Sequence, residues 1–526
     1  VTTFATPRSS TTTRHTPTGA KSDVAVVGAG PGGLASAMLL AASGVKVTIY
    51  EAAPVVGGRT SRITLHDDGG RAFHFDRGPT FFLMPYVLEE IFAAAGRRLQ
   101  DYADLTRLDP MYRLLLGRPG KNPLVVDTTQ DVERMAAQLE SIERGAGAEF
   151  KRFIADNRVK LDRMTPLLRR PIRKFTDLIA MDAMKCAPIL APHKSVHDLL
   201  GKYFDDPLVK IALTFQSKYL GMSPMECPSL FTILPFIEYE YGIWHPRGGC
   251  NALMRAMADA CEEMGVTIRT SAPVERIAFS GKRATGVVVD GATFAHEHVV
   301  VNADATWAMK NLIPENIRRA QDSDANLDAK RYSCSTYMLY LGLEGKVDLP
   351  HHTIYVSKTY EENLTDITTR GALTDDCSTY VCNPSATDPT LAPEGSSALY
   401  VLVPTPNCKA SIDWRAADPI VRERALRVME QEMGIEHARE RIVCEQRITP
   451  DDWRANNINF GATFNLAHNI GQMLHKRPHH ELQGVENVWL VGGGTHPGSG
   501  LPVIFLSSQI TSKLLCERVG ASYAGN

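Results

Sequence analysis

"DVAVVGAGPGGLASAMLLAASGVKVTIYEA", residues 23–52, decides the fold. Val24, Ala25, Val26 and Val27 form a short apolar run of the kind buried on both faces of a parallel sheet. Gly28, Gly30 and Gly33 follow in GxGxxG spacing, which serves a tight turn, close approach to a pyrophosphate and close helix–strand packing. Leu34, Met38 and Leu39 recur at helical spacing, Gly44 closes that helix, and "VKVTIYE" is the second strand. At its end Glu51 is placed to accept hydrogen bonds from a ribose. The spacing predicts a βαβ unit that holds a dinucleotide. Val24 to Val45 is uncharged and long enough to mimic a membrane span, but its glycines and Pro31 would break one.

Just downstream, "APVVGGRTSRI" supplies Gly57, Gly58 and Arg59. Glycines let a backbone approach closely, and a guanidinium balances anionic oxygens. Here the chain resembles the flavoprotein superfamily of amine oxidases, polyene desaturases and Rab GDP-dissociation inhibitors. That resemblance implies FAD, with this loop near the flavin and Arg59 near its pyrophosphate. "FHFDRGPTFFLMPYVLEEIFAAAG", with Phe75, Asp76, Gly78, Pro79, Thr80 and Pro85, resembles the F-D-x-G-P-T…P segment of bacterial phytoene and dehydrosqualene desaturases. In "GIWHPRGGCNALMRAMADACEEMGVTIRTSAPVERI", Gly248 and Gly249 open a helix through Leu253, Met254, Met257 and Cys261, which matches the family's P-x-GG-x-x-x-L segment. The resemblance places the main chain of Val274 against the adenine, and "HVVVNADA" as a strand returning to the flavin domain. "NFGATFNLAHNIGQMLHKRP" adds Gly461, His468, Gln472, Arg477 and Pro478.

A second glycine turn lies near the far end, in "NVWLVGGGTHPGSGLPVIFLSSQI". It reads as a strand, a turn and a helix starting near Pro502. Many relatives carry an acid after the glycine pair, whereas this chain has Gly494, Thr495 and His496. The form is similar to the G-x-G-T-H-P-G-x-G-x-P of carotenoid desaturases. It implies that Gly493, Gly494, Pro502 and Val503 complete the flavin site, with the partial positive charge of a helix N-terminus facing the ring.

A chain of 526 residues exceeds one compact core. The expected class is α/β: a Rossmann-like FAD-binding domain assembled from residues 23–108, 245–308 and 481–526, with a mixed sheet-plus-helix substrate domain. The strands "CSTYMLYLGLEG" and "SALYVLVPTPNC" place a β-sheet within residues 309–480. Residues 109–244 are expected to be a helical, membrane-facing substrate region, with Met135, Leu139 and Ile142, then Phe150, Phe153 and Ile154, at helical spacing. Residues 1–22, rich in Thr and Ser, are expected to be a disordered tail.

Net charge of −2 gives no electrostatic case for nucleic acid. Ten cysteines scattered without CxxC spacing suit reduced thiols and a cytoplasmic setting. In "LLRRPIRKFTDLIAMDAMKCAPILAP", Arg169, Arg170, Arg173 and Lys174 precede the apolar Ile179, Met181, Met184, Ile189 and Leu190. Such a stretch suits an anionic membrane surface, so the expected location is peripheral, on the inner face of the cell membrane. His475, His479 and His480 share a polar loop without a supporting Cys or carboxylate and read as solvated histidines, not as a metal site.

The resemblance implies FAD-dependent desaturation of a long polyene isoprenoid, phytoene or 4,4'-diapophytoene, with oxygen or a membrane quinone taking the electrons. A carotenoid oxidase, ketolase or isomerase of the same branch stays open, as does a flavin-free isoprenoid carrier. No Ser-His-Asp or Cys-His constellation competes with that reading. For the reacting end, "FIEYEYGIWHPRGG" offers Tyr239 and Glu240, which could stabilise carbocation character or accept a proton.

Overall fold

The computed structural model describes residues 22–178 and 194–525. Five strands pair in parallel in the order Val488–Leu490, His298–Val301, Asp23–Val27, Lys46–Tyr50 and Thr267–Arg269. The run "VAVV" is buried on both faces, as its uninterrupted apolar character predicts. Val24 and Val26 pack with Leu34 and Met38 of the helix Pro31–Ala42, while Ala25 and Val27 pack with Val299, Val301 and the strand Arg283–Val289. That helix lies against both Cys250–Glu263 and the C-terminal helix Leu501–Val519. One sheet thus gathers strands from near the start, the middle and the end of the chain.

A second sheet of seven strands runs in the order Ile442–Ile448, Ser335–Glu344, Ser396–Thr405, Thr379–Cys382, His352–Val356, Tyr112–Arg118 and Lys121–Thr128. Pairing is antiparallel except between His352–Val356 and Tyr112–Arg118. Its longest strand, Ser335–Glu344, shows period-two sidedness within a buried sheet. Tyr337, Leu339 and Leu341 pack towards the helix Trp414–Gln431, whereas Met338 and Tyr340 pack with Phe73 and Phe75. The segment around Phe75 is therefore laid across the face of the second sheet.

This sheet corrects the expected boundary of the helical region, because residues 112–128 are two strands of the sheet. The signal was alternation: Leu114 and Leu116 join one core while Leu115 joins another. Beyond them the predicted helices form, as Val132–Ile142 and Ala146–Leu168, with Asp131 capping the first through the N–H groups of Glu133 and Arg134. Residues 1–21 of the expected tail, and Ile179, Met181, Met184, Ile189 and Leu190 of the apolar run, lie outside the described residues. Among the described residues no helix is long and apolar enough to cross a membrane, and every cysteine is a free thiol.

Candidate active site

The two glycine turns meet at Asn302. Its Nδ2 donates to the Gly28 carbonyl at 3.1 Å, and a Cβ on Gly492 would stand 3.3 Å from its Oδ1. Gly33 is fixed by the same crossing, since a Cβ there would lie 2.0 Å from the Gly28 carbonyl oxygen. On the other side, Ser508 of the C-terminal helix donates to the Gly32 carbonyl at 3.0 Å. The helices Pro31–Ala42 and Leu501–Val519 both start from a glycine with no side-chain cap and no acid in the first turn. Two uncapped helix starts side by side present N–H groups and partial positive charge to anionic oxygens.

Glu51 is buried at the edge of this crossing. Its carboxylate accepts from the Ala29 N–H at 2.6 Å and the Ala53 N–H at 2.8 Å. The Gly57 N–H donates to Ala29 O at 2.8 Å, which folds the Gly57–Arg59 loop back over the first turn. Gly57 takes φ +111°, a conformation that favours glycine. Arg59 donates to the Thr463 carbonyl at 2.6 Å, and burial lowers its basicity against the opposing pull of Asp304. Asp76, of the FDxGP segment, accepts from the N–H groups of Cys250 and Asn251, both at 2.8 Å, and so caps a helix from far away in sequence. Burial pushes the Asp76 carboxyl up in spite of those bonds.

The C-terminal turn is clamped by Arg477, only 2 % exposed. Its guanidinium donates to the carbonyls of Gly493 at 2.8 Å, Thr495 at 3.1 Å and Leu466 at 3.2 Å. Burial lowers its pKa to about 10. His496 ties the same turn to the helical region by donating from Nε2 to the Leu167 carbonyl at 3.0 Å, and burial lowers its pKa to about 4. His468 accepts from the Ser499 N–H at 3.1 Å.

Behind the FDxGP segment lies a buried cluster of aromatic rings around one carboxylate. Phe81 stacks on His352 with centroids 4.2 Å apart and lies within 5.4 Å of Tyr219, 5.5 Å of Tyr380 and 6.1 Å of Tyr112. Tyr112 donates to Glu238 Oε2 at 2.7 Å, and Gln216 Nε2 donates to the same oxygen at 3.1 Å. Glu238 is fully buried. Burial lifts its pKa from 4.5 to about 7, against the hydrogen bonds that favour its charge. Its Oε1 makes no hydrogen bond of normal length, although the Tyr219 hydroxyl is near enough to favour its charge, and Gln216 Oε1 is likewise unmet. Each unmet group of this kind costs about 1–3 kcal/mol. His351, His352 and Cys382 also come within 4.8 Å of one another, but Thr387 and Tyr380 already hold the Nδ1 atoms of the two histidines.

Residues 31–512 match the model of the flavin containing amine oxidoreductase family. A 4,4'-diapophytoene desaturase (4,4'-diapolycopene-forming) of Methylomonas sp is 42% identical over 497 residues, covering 94% of this chain and 95% of its own. An all-trans-zeta-carotene desaturase of Myxococcus xanthus is 39% identical, with 94% of both chains covered. The chain belongs to the carotenoid desaturase branch of that flavoprotein family. Among solved structures, a putrescine oxidase superposes with a TM-score of 0.60 at 16% identity, covering 94% of this chain and 99% of its own. That likeness shows the fold. Within this flavoprotein the two glycine turns and the Gly57–Arg59 loop fit a dinucleotide: the helix starts are uncapped, the Arg59 side chain is half-buried beside them, and the glycines leave the backbone open.

The predicted residues divide into two groups. Gly28, Gly30 and Gly33 lie against Asn302, with Glu51 bonded to the Ala29 N–H and Gly57–Arg59 folded over that turn. Gly493 and Gly494 follow Gly492 in the second turn, and Pro502 and Val503 stand in the first turn of the C-terminal helix. Val274 opens the strand Val274–Ser280, two residues beyond Ala272, whose N–H donates to the Glu51 carbonyl at 2.8 Å. Tyr239 is buried in the aromatic cluster, its ring edge-on to Phe150. Glu240 lies apart from it, at the surface, ion-paired with Arg158 at 2.6 Å.

Sequence reading missed Asn302, the clamp made by Arg477, and Glu238. Nothing local separates Glu238 from Glu240; Tyr112 and Gln216, distant in the chain, make the difference. The histidine loop needs a correction too, because His480 is buried and bonds Thr511 of the C-terminal helix at 2.9 Å. The basic stretch is partly neutralised, since Arg169 makes two 2.8 Å bonds to Glu90 and Arg173 stands 4.0 Å from Glu481.

Proposed function

We propose that this protein is an FAD-dependent desaturase of a long polyene isoprenoid, phytoene or 4,4'-diapophytoene, in carotenoid biosynthesis. The observation that carries the reading is the meeting of the two glycine turns at Asn302, with an aromatic, apolar cluster directly behind the FDxGP segment. When bound, FAD supplies the two-electron oxidant that removes a hydride from a saturated carbon. The chain's own residues bind and orient. Glu51 would take the ribose, the start of the helix Pro31–Ala42 and Arg59 would take the pyrophosphate, and Val274 would border the adenine. Gly493, Gly494, Pro502 and Val503 would hold the flavin's other half, where the start of the helix Leu501–Val519 would stabilise negative charge. Phe81, Tyr112, Tyr219 and Tyr380 exclude water and offer ring faces to developing positive charge.

The substrate is insoluble, so a lipid surface is the second part of the proposal. Arg170, Arg173 and Lys174 stand beside Phe175, which is 64% exposed. Exposed aromatic and basic groups together suit an anionic headgroup region. Reduced enzyme passes its electrons to oxygen or a quinone.

The test is an assay with FAD and liposomes, offering phytoene and 4,4'-diapophytoene separately and following visible absorption. Colour from one substrate is expected, and the band position counts the new double bonds. Flavin-loaded enzyme that colours neither substrate would overturn the reading.

A further inference from the structure

We propose that Glu238 is the proton acceptor of the desaturation, acting through its Oε1. The inference rests on the desaturase reading and names a residue of that site. Forming a double bond removes a hydride and a proton from adjacent carbons. The hydride's oxidant is the flavin. The C–H electron pair left by the proton closes the new bond, and the carboxylate becomes a neutral acid.

Three observations converge on Glu238. It is fully buried, with one oxygen held by Tyr112 and Gln216 and the other without a hydrogen bond of normal length. A half-bonded carboxylate in a buried interior calls for an explanation. Next, its surroundings are aromatic, with the hydroxyls of Tyr112, Tyr219 and Tyr239 about it rather than a partner cation. No Lys or Arg faces the carboxylate among the groups that shift it. Finally, the cluster is tied to the cofactor side by a short span of chain. Gly78 packs on the Arg59 carbonyl, Phe81 touches Tyr112 and Tyr219, and Phe82 O accepts from the Trp244 N–H at 2.9 Å. Trp244 follows the helix Ile233–Tyr241, which carries Glu238. The raised pKa leaves the group poised between base and acid near neutrality.

The test uses the full chain with FAD and liposomes. Glu238→Gln keeps a planar side chain that can accept from Tyr112. Flavin reduction by the polyene under anaerobic conditions is expected to slow by about 100-fold or more. The acid limb of its pH profile should vanish. Without substrate, infrared titration should find a carboxyl band that changes near neutral pH in the wild type and is missing in the variant. Glu238→Asp should restore part of the rate with a displaced acid limb, and it carries the test if Glu238→Gln fails to hold flavin. A Glu238→Gln rate within about twofold of wild type, an unchanged acid limb, or an unchanged infrared band would each overturn the proposal. Colourless wild type would instead sink the functional reading itself.

Discussion

The crossing of the two glycine turns and the cluster around Glu238 are built on opposite terms. At the crossing the backbone does the work, since the helix starts and carbonyls approach because glycines leave no side chain in the way. At the cluster, side chains from six stretches of chain converge, around residues 81, 112, 216–219, 238–239, 352 and 380, and the backbone only delivers them. The difference teaches where each site should be fragile. Added bulk should destroy the first, while altered charge should silence the second without unfolding it.

The largest effect should come from Gly33→Val. Its Cβ would stand 2.0 Å from backbone, so a loss on the order of 4 kcal/mol and of flavin retention is expected. Purified variant with full flavin absorbance would break the account of the crossing. Arg477→Met comes next. It removes the guanidinium donor from the carbonyls of Gly493, Thr495 and Leu466 and should cost about 3 kcal/mol in urea unfolding.

Glu238→Gln sharpens the contrast through pH. The folded carboxyl binds its proton up to about 7, against 4.5 for the ordinary group. Between those values the folded state holds the extra proton, so this contribution is full at low pH and is lost as pH rises through the window. The wild type should therefore lose stability relative to the variant, on the order of 3 kcal/mol, as pH climbs from about 4.5 to about 7. Parallel denaturation curves across that range would refute a buried titrating carboxyl.

Asn302→Ala should weaken FAD binding roughly tenfold, through loss of one hydrogen bond between the loops; equilibrium flavin titration reads it. Glu240→Gln should do least. Its ion pair with Arg158 is at the surface, so stability should move by less than about 1 kcal/mol. A large drop in turnover for Glu240→Gln with none for Glu238→Gln would reverse the assignment of the two carboxylates.

The glycine crossing was legible because its rules are local. "VAVVGAGPGG" forces a buried strand, a turn with φ +98° at Gly28 and a helix start, whatever surrounds it. The strands Ser335–Glu344 and Ser396–Thr405 were legible from β-branched and aromatic runs. Tyr112–Arg118 was not, because its alternation sat within a stretch weighed as helical. Asn302 carries no motif of its own, and its role exists only where residues 28 and 492 meet.

By itself, then, the sequence determined the parallel sheet, the glycine turns with their acid and guanidinium, and the family they imply, since a buried strand, a glycine turn and a helix start are each written in consecutive residues. Only the tertiary structure decided which of two glutamates two residues apart is buried and half-bonded, and which meets Arg158 at the surface. The physical reason is desolvation. A carboxylate's chemistry depends on what packs around it, and around Glu238 that is Tyr112, Gln216 and Tyr219, brought there by the fold.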